Sequence, residues 1–231
     1  MPDHFKNIYQ NHADAYDQMV RVEDYEGNIL KTLQAIGLSP ESVVVEFGAG
    51  TGRVTRLLLP HVRRVHAFDF MPSMLTVARQ TFVPADNWSV AVADNGHMPV
   101  APNSADMTIE GWSFAHVRGW FPDTWQMVFD RYIAEMQRIL KPGGTAVLIE
   151  TMGTGSETPA PPNEGLAELF AYMENQHGFT YRWARTDYKF DSLDEAIKLT
   201  GMFFGEDFAK RVREENWVIV PECTGFWSKT F

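Results

Sequence analysis

Cysteine is nearly absent from this chain of 231 residues, in which Cys223 is the only one. A disulfide framework and a cysteine-rich zinc site are therefore excluded, and a chain of this length can bury a full core without them. Long apolar runs are also missing, since no stretch approaches the roughly 18–20 residues of a membrane-spanning helix. The first residues are polar and contain no apolar signal-peptide centre. We therefore expect a soluble, cytoplasmic protein.

Positive charge is scarce as well. Lys and Arg number 20 against 30 Asp and Glu, which gives a formal net charge of -10 at pH 7. Because non-specific nucleic-acid binding requires a positive surface, this charge argues against a nucleic-acid partner. The histidines show no metal-ligand spacing with carboxylates or with Cys223, which argues against a metal-assisted mechanism. We expect a small-molecule partner and neither a metal nor a membrane, in a monomer or a homodimer.

The first two thirds of the chain alternate between predicted strands and helices. Residues 42–47 form a short β-branched run, which is typical of a strand buried on both faces of a parallel sheet. Four further strands are predicted at 65–69, 88–93, 106–112 and 145–150. Helices are predicted at 53–59, 72–82 and 124–140, after two N-terminal helices within 5–36 that are broken near residue 24. This alternation predicts an open α/β sheet with helices on both faces.

The alternation ends after residue 151. Residues 151–163 are rich in glycine and proline and predict a loop. A helix is predicted at 164–176, and strand candidates at 179–190, 217–220 and 225–229. Ser192 and Glu195 form a capping box that opens a helical insertion reaching residue 215. We expect a single domain over 1–231, composed of an N-terminal helical lid (1–40), a cofactor-binding core (41–151) and C-terminal strands with a helical substrate cap (152–231).

A glycine-rich turn follows the first predicted strand directly. It reads Gly48-Ala49-Gly50-Thr51-Gly52, and glycine permits both positive φ and a close approach of the backbone to a ligand. Dinucleotides and S-adenosylmethionine both bind at such turns. A dinucleotide fingerprint requires a third glycine where this chain has Arg53. Glu46 would repel a pyrophosphate but would suit an ammonium or sulfonium group, so the pattern favours S-adenosylmethionine.

Acidic residues stand at the ends of the next predicted strands. Asp69 ends the second strand, where a carboxylate can accept both hydroxyls of a ribose. Asp94 ends the third strand and can accept from an adenine amine, and Glu110 lies near the end of the fourth. Because ligands of open α/β sheets bind across the carboxyl ends of the strands, these residues predict a nucleoside site at that edge.

Four segments together resemble the motifs of the class I S-adenosylmethionine-dependent methyltransferases, in the branch with the type 11 domain: VVVEFGAGTGRVT, HAFDFMPSML, VADNGHMPVAPNSADMTI and FDRYIAEMQRILKPGGTAVLIE. The resemblance covers roughly residues 25–151. It implies a Rossmann-like, seven-stranded, mostly parallel sheet whose last strand is antiparallel. It also implies S-adenosylmethionine as the methyl donor and S-adenosylhomocysteine as the product.

The resemblance also implies roles for particular residues. Glu46 and the turn from Gly48 to Gly52 would hold the methionine part of the cofactor, and Asp69 would hold its ribose. Asp94 and Asn95 would address the adenine, on which Phe70 and Met74 would pack. Glu110 and Trp112 complete the predicted cofactor set.

Aromatic residues and a histidine follow the fourth strand, where much of this branch has small or aliphatic residues. His116 is the candidate general base for an acceptor that must lose a proton, and the alternative is a structural histidine. Tyr9 and Tyr16 of the N-terminal helices are expected to cover the site. The acceptor pocket is predicted to be lined by these two tyrosines together with Trp112, His116, Tyr188 and Phe203.

These observations predict an enzyme that transfers a methyl group from S-adenosylmethionine to an oxygen, nitrogen or sulfur of a small molecule by in-line displacement. Since the donor is already activated, the protein mainly positions the acceptor and the methyl group. Two alternatives remain open from the sequence. One is a dinucleotide-dependent oxidoreductase, and the other is a non-catalytic module that binds the cofactor.

Overall fold

The strands of this protein build one large sheet and one small one. A computed structural model describes residues 4–82 and 85–231. Along these ranges the strands are β1 (Val43–Phe47), β2 (Arg64–Asp69), β3 (Trp88–Val92), β4 (Ala105–Gly111), β5 (Leu140–Thr154), β6 (Thr180–Arg185), β7 (Tyr188–Lys189), β8 (Ile219–Val220) and β9 (Glu222–Thr230). The large sheet has the order β3-β2-β1-β4-β5-β9-β6, and β7 pairs with β8 alone.

Strand direction in the large sheet agrees with the sequence prediction. β1 pairs in parallel with β2 and β4, and the outer pairs β2–β3 and β4–β5 are also parallel. Only β9 runs antiparallel to its neighbours β5 and β6. The predicted seven-stranded, mostly parallel sheet with an antiparallel last strand is thus confirmed. The carboxyl ends of β1 to β4 consequently meet at one edge.

Helices pack on both faces of the large sheet. In chain order they are α1 (His4–Asn11), α2 (Ala13–Arg21), α3 (Asn28–Ile36), α4 (Thr55–Leu58), α5 (Pro72–Thr81), a 3₁₀ helix (Phe114–His116), α6 (Val117–Trp120), α7 (Trp125–Ile139), α8 (Glu164–Asn175), α9 (Leu193–Phe204) and α10 (Glu206–Glu214). Among the described residues, no helix is both long enough and apolar enough to cross a bilayer.

The β-branched run of β1 is buried on both faces, as expected. Val45 and Phe47 belong to the core under α7, whereas Val44 belongs to the core under α3. Side chains alternate between the faces of a strand, so a central strand must be apolar at consecutive positions. This requirement is what makes the strand recognisable from sequence.

Three predicted elements differ from the structure. The N-terminal segment forms three helices, because the chain breaks at His12 as well as near Asp24. β5 is longer than predicted at both ends. Residues 140–144 belong to the strand, where Gly143 and Gly144 hydrogen bond with the backbone of Phe231, and residues 151–154 of the predicted loop continue it because they pair with β9. The predicted strand at 179–190 is divided into β6 and β7, because Tyr188 and Lys189 leave the large sheet and pair with β8.

The N-terminal and C-terminal helices meet above the carboxyl edge of the sheet. Ile8 and Tyr16 pack against Met71 and Met74 at the start of α5. Phe203 at the end of α9 lies 5.6 Å from the Tyr16 ring, measured between centroids. Residues far apart in sequence therefore enclose the same edge, although their function as lid and cap stays a prediction.

Asp24 caps the start of α3, and we expect Asp24→Ala to lower the free energy of unfolding by roughly 1–2 kcal/mol. Its two carboxylate oxygens accept the N–H groups of Asn28 at 2.7 Å and Ile29 at 2.8 Å, from a backbone with φ of 55°. Alanine removes both acceptors and tolerates positive φ poorly. Urea unfolding measures the loss. Asp24→Asn keeps an acceptor oxygen and should lose less, and equal losses in both variants would contradict the capping role.

Candidate active site

A cavity of about 220 Å³ opens at the carboxyl ends of β1 to β4. It brings together most residues of the predicted cofactor set: Gly48, Gly50, Asp69, Phe70, Met74, Asp94, Asn95 and Trp112. Tyr9, Tyr16 and His116 line the same cavity. We call this space the nucleoside cavity, because its position in the sheet is the one at which α/β folds bind nucleotides.

Asp69 links the glycine turn to the following helix. Its Oδ2 accepts the N–H of Gly50 at 2.7 Å, and its Oδ1 accepts the N–H of Met71 at 2.7 Å. Burial raises the pKa of Asp69, and these two hydrogen bonds lower it by less. The carboxylate that was predicted to hold a ribose therefore also holds the backbone that shapes the cavity.

Glycine is required in the turn for two separate reasons. The φ angles of Gly48, Gly50 and Gly52 are 63°, 58° and 91°, which most side chains disfavour. A Cβ atom on Gly48 would also lie 2.1 Å from the Ser113 hydroxyl oxygen. The spacing of glycines therefore reflects both the turn geometry and its close contact with the loop after β4.

Several predicted residues lie below the cavity and do not line it. Ala49, Thr51 and Gly52 are not among its lining residues. The hydroxyl of Thr55 donates to the carboxyl of Glu46, whose side chain is buried in the sheet. Burial raises the pKa of Glu46 to about 8. Glu46 thus supports the turn from beneath, and its predicted contact with the methionine part of a cofactor stays a prediction.

Glu110 is also buried, and with Glu150 it holds the loop after β4. Glu110 Oε2 accepts the N–H groups of Ser113 and Phe114, each at 3.1 Å. Glu150 Oε1 accepts the N–H of Ala115 at 2.8 Å. Burial raises the pKa of both carboxyls, and for Glu150 the charge of Glu110 adds to this effect. Three consecutive amides of the loop are thus bound by two buried carboxyls.

The adenine candidates differ in exposure. Asn95 donates its amide to Ser113 Oγ at 3.2 Å, and its Oδ1 is buried without a hydrogen-bond partner. Asp94 Oδ1 accepts the N–H of Gly96 at 2.8 Å. Met74 is buried beside Gly50, whereas the Phe70 side chain is 60% exposed at the mouth of the cavity. The buried amide oxygen of Asn95 is thus available to a donor in the cavity.

His116 lies at the end of the loop held by Glu110 and Glu150. Its Nε2 is 3.0 Å from the Tyr9 hydroxyl, and its ring stacks on Trp120 at 4.6 Å between centroids. Burial raises the pKa of Tyr9 well above its usual value, so the phenol stays protonated and can donate to the imidazole. The N-terminal helix α1 therefore fixes the orientation of the candidate base.

A second and larger cavity, of about 1180 Å³, adjoins the first. Tyr9, Tyr16, Trp112 and His116 line both and form a shared wall. Tyr188 and Phe203 line only the second cavity, which we call the acceptor cavity. The structure thus separates the predicted residues into two adjoining spaces that meet at His116.

The residues of the acceptor cavity that the sequence analysis missed as site residues include Arg53, Glu150 and Glu222. The guanidinium of Arg53 lies 3.2 Å from the centroid of the Trp112 ring and forms an ion pair with Glu23. Arg53 occupies the position at which a dinucleotide fingerprint has its third glycine. This difference was the sequence feature that could have identified Arg53 as a site residue. Nothing in the sequence places Glu222 near the other two.

The comparisons with known proteins agree with this geometry. Residues 45–148 match the family model of a methyltransferase domain of type 11. Over 226 residues the chain is 26% identical to a demethylmenaquinone methyltransferase of Staphylococcus aureus, which covers 95% of this chain and 86% of that protein. An uncharacterized methyltransferase of a Geobacillus species is 27% identical over 152 residues, or 64% of this chain and 67% of the relative.

Solved structures share the fold. A SAM-dependent methyltransferase of Aquifex aeolicus superposes with a TM-score of 0.54 at 15% identity, over 86% of this chain and 87% of that one. Phosphoethanolamine N-methyltransferase 2 of Haemonchus contortus, in complex with S-adenosyl-L-methionine, gives a TM-score of 0.62 at 16% identity, over 99% of this chain and 60% of that one.

Residues 45–148 form a methyltransferase domain, and the chain shares its fold with solved S-adenosylmethionine-dependent methyltransferases. The chain is therefore an enzyme, and S-adenosylmethionine is its cofactor. This finding decides against the dinucleotide-dependent oxidoreductase that the sequence had left open.

The buried carboxyl of Glu46 makes stability depend on pH. Its pKa is about 8 in the folded protein against an ordinary value of 4.5, so the folded state binds the proton more tightly. The contribution of Glu46 to stability is complete below its pKa in the unfolded state. It is lost as the pH rises through its pKa in the folded state. Between about pH 6 and about pH 9, the free energy of unfolding should therefore fall more in the wild type than in Glu46→Gln.

Urea unfolding at several pH values measures this difference. Asp106→Asn is the matched control, because the Lys141 ammonium holds the pKa of Asp106 below its usual value and its titration lies far below this range. The control should follow the wild type. Parallel curves for the wild type and Glu46→Gln would show that Glu46 is ionised in the folded protein.

Proposed function

We propose that the enzyme methylates a small molecule in the acceptor cavity, with the methyl donor held in the nucleoside cavity. The wall shared by the two cavities carries this proposal, since a donor and an acceptor on either side of it would meet beside His116. Methyl transfer is an in-line displacement, which needs two reactants held face to face. Two adjoining cavities supply such an arrangement.

The residues of the nucleoside cavity fit the cofactor. The positive φ of Gly50 leaves its backbone open to a ligand, and the buried Oδ1 of Asn95 needs a donor such as the adenine amine. We infer that Asp69 binds the ribose and that Phe70 and Met74 enclose the adenine. The cofactor supplies a methyl group that is already activated on a sulfonium.

The protein's own contribution is orientation and exclusion of water. Tyr9, Tyr16 and Trp112 form the shared wall, and aromatic faces accommodate a sulfonium cation. A dry, weakly polar site favours a transition state in which this positive charge is dispersed. An acceptor that must lose a proton would replace Tyr9 as the hydrogen-bond donor to Nε2 of His116 and pass the proton to that nitrogen.

A small molecule with apolar surface suits the acceptor cavity best. Its walls include Phe203, Phe204 and Tyr188. The similar proteins named for their acceptors, demethylmenaquinone and phosphoethanolamine, also point to small molecules. The chain's formal net charge of -10 supports the absence of a nucleic-acid acceptor. The cytoplasmic location and the monomeric or homodimeric state stay predictions.

Asp69→Ala should weaken the binding of S-adenosylhomocysteine by roughly 1–3 kcal/mol, because a hydrogen bond to a charged group is lost and the glycine turn is released. Isothermal titration calorimetry with S-adenosylhomocysteine measures the affinity. Asp106→Ala removes a carboxylate from the amino-terminal end of β4, at the opposite edge of the sheet, and should bind like the wild type. Unchanged affinity in Asp69→Ala would remove Asp69 from the cofactor site.

His116→Ala should lower turnover by about 100-fold or more if this histidine is the general base. The measurement is release of S-adenosylhomocysteine on a panel of small phenols, thiols and amines, using each acceptor that the wild type methylates. Affinity for S-adenosylhomocysteine should stay within about twofold of the wild type, since the base acts on the acceptor. Equal turnover in the two proteins would leave His116 a structural residue.

A further inference from the structure

The inner wall of the acceptor cavity contains more carboxyl groups than cations. Glu150 and Glu222 line it, and their side chains are 2% and 1% exposed. Arg53 is the buried cation beside them, and its guanidinium is already ion-paired with Glu23. The charge of Arg53 is therefore balanced by Glu23, which lies outside the cavity wall. Glu150 and Glu222 do not form an ion pair with Arg53.

The remaining cations of this cavity are less buried than its carboxyls, although the Nε of the half-buried Arg118 has no hydrogen-bond partner among the described residues. Arg118 donates to Glu168 at 2.7 Å and lies over the Trp125 ring. Lys6 is exposed, with its Nζ 4.7 Å from the centroid of the Trp120 ring. An anionic ligand would thus find cations at the rim, while the depth of the cavity is acidic.

One carboxyl oxygen in this depth has no hydrogen-bond partner. Glu222 Oε1 accepts the hydroxyl of Thr151 at 2.8 Å, but Glu222 Oε2 is buried and has no hydrogen-bond partner among the residues that the structure describes. Glu23 has a second buried oxygen of this kind, Oε1. Leaving such an oxygen unpaired in a buried place is costly, and a ligand that brings an N–H donor removes the cost.

Aromatic rings surround the same space. They come from the N-terminal helices, the loop after β4 and the C-terminal helices: Tyr9, Tyr16, Trp112, Trp120, Tyr188, Phe203 and Phe204. The faces of such rings attract cations, and their edges pack against alkyl or aryl groups. Carboxyls at the bottom and aromatic rings at the sides together favour a ligand that has a cationic group attached to an apolar framework.

We propose that the methyl acceptor is an amine, bound as its ammonium ion with N–H groups donating to Glu222 and Glu150. One of these protons passes to the Glu222 carboxylate before transfer, so that the free lone pair of the nitrogen attacks the methyl group while the sulfonium leaves as a thioether. This inference rests on the proposed function, because it assumes that the larger cavity holds the acceptor. It names the chemical class that the cavity selects. A hydroxyl compound of the same shape brings one donor and no charge, so it can pair with fewer of the carboxyl oxygens and cannot stabilise their ionised form.

Binding of the amine can also be measured as release of a proton from Glu222. Burial, followed by the charge of Glu23, raises the pKa of Glu222 to about 8, while Thr154, Thr151 and Arg53 lower it by less. The carboxyl is therefore mostly protonated at neutral pH. An ammonium ion beside it favours the carboxylate, so binding of the amine should release a proton.

The backbone N–H of Glu222 donates to Asp187 at 3.0 Å. Asp187 is ion-paired with Arg185 at 2.7 Å. This neighbouring pair keeps its charges balanced, so the proton released on binding is attributed to the carboxyls that line the cavity.

The experiment compares amines with alcohols of the same shape, in the presence of saturating S-adenosylhomocysteine. The probes are benzylamine with benzyl alcohol, and hexylamine with 1-hexanol. Titration calorimetry in buffers of different ionisation enthalpy gives both the affinity and the protons released. Each amine should bind at least about tenfold more tightly than its alcohol, with release of a proton only for the amine.

Glu222→Gln should reduce this preference for amines to about twofold or less and lower the number of protons released, because only the Glu150 carboxyl then remains to ionise. Its affinity for S-adenosylhomocysteine should stay that of the wild type, because Glu222 does not line the nucleoside cavity. Glu168→Gln is the matched control, since this glutamate is exposed at the rim and paired with Arg118. The control should keep the full preference.

Two results would overturn the inference. The first is that alcohols bind the wild-type protein as tightly as their amines do. This comparison needs no variant, so it tests the inference even if Glu222→Gln fails to fold. The second is that a folded Glu222→Gln variant keeps the full preference for amines over alcohols. A wild-type protein that does not bind S-adenosylhomocysteine would instead contradict the proposed function, so the two failures are distinguishable.

Discussion

Buried carboxylates that bind loop amides are the interaction on which the whole site depends. At the carboxyl edge of the sheet, Asp69 binds the amides of Gly50 and Met71. Glu110 and Glu150 bind three amides of the loop after β4. Loops at this edge have no strand partner for their N–H groups, and a carboxylate from the adjacent strand end provides one. The two cavities have their shape because these loops are held from below.

This arrangement has an electrostatic cost. The pKa of each of these carboxyls is raised by burial, and two of them, Glu110 and Glu150, lie next to one another. A domain selected for stability alone would replace such groups with apolar side chains. Their concentration at one edge therefore coincides with the position of the cofactor and acceptor cavities, as expected for groups that serve a site.

The shared wall connects the ends of the chain to the chemistry. Phe5 and Tyr9 of α1 contact His116, and His4 lies 3.1 Å from the carbonyl oxygen of Phe203 in α9. Helices from the two ends of the chain thus enclose one histidine. In the segment after β4, the ring of His116 contacts helix α1, whereas Phe114 packs on Phe47 of β1 and Phe129 of α7.

Much of the core and of the nucleoside cavity could be predicted from local sequence. The buried strand β1, the turn from Gly48 to Gly52 and the strand-end acids Asp69 and Asp94 each leave a local pattern, because backbone conformation and strand burial act over a few residues. Their meeting at one edge follows from the parallel order of the strands. The tertiary structure decided the acceptor cavity, in which Arg53, Glu150 and Glu222 come from distant segments. It also showed that Glu46 and Glu110 lie beneath the cavities, since the depth of a side chain depends on the packing of several elements and has no local signature.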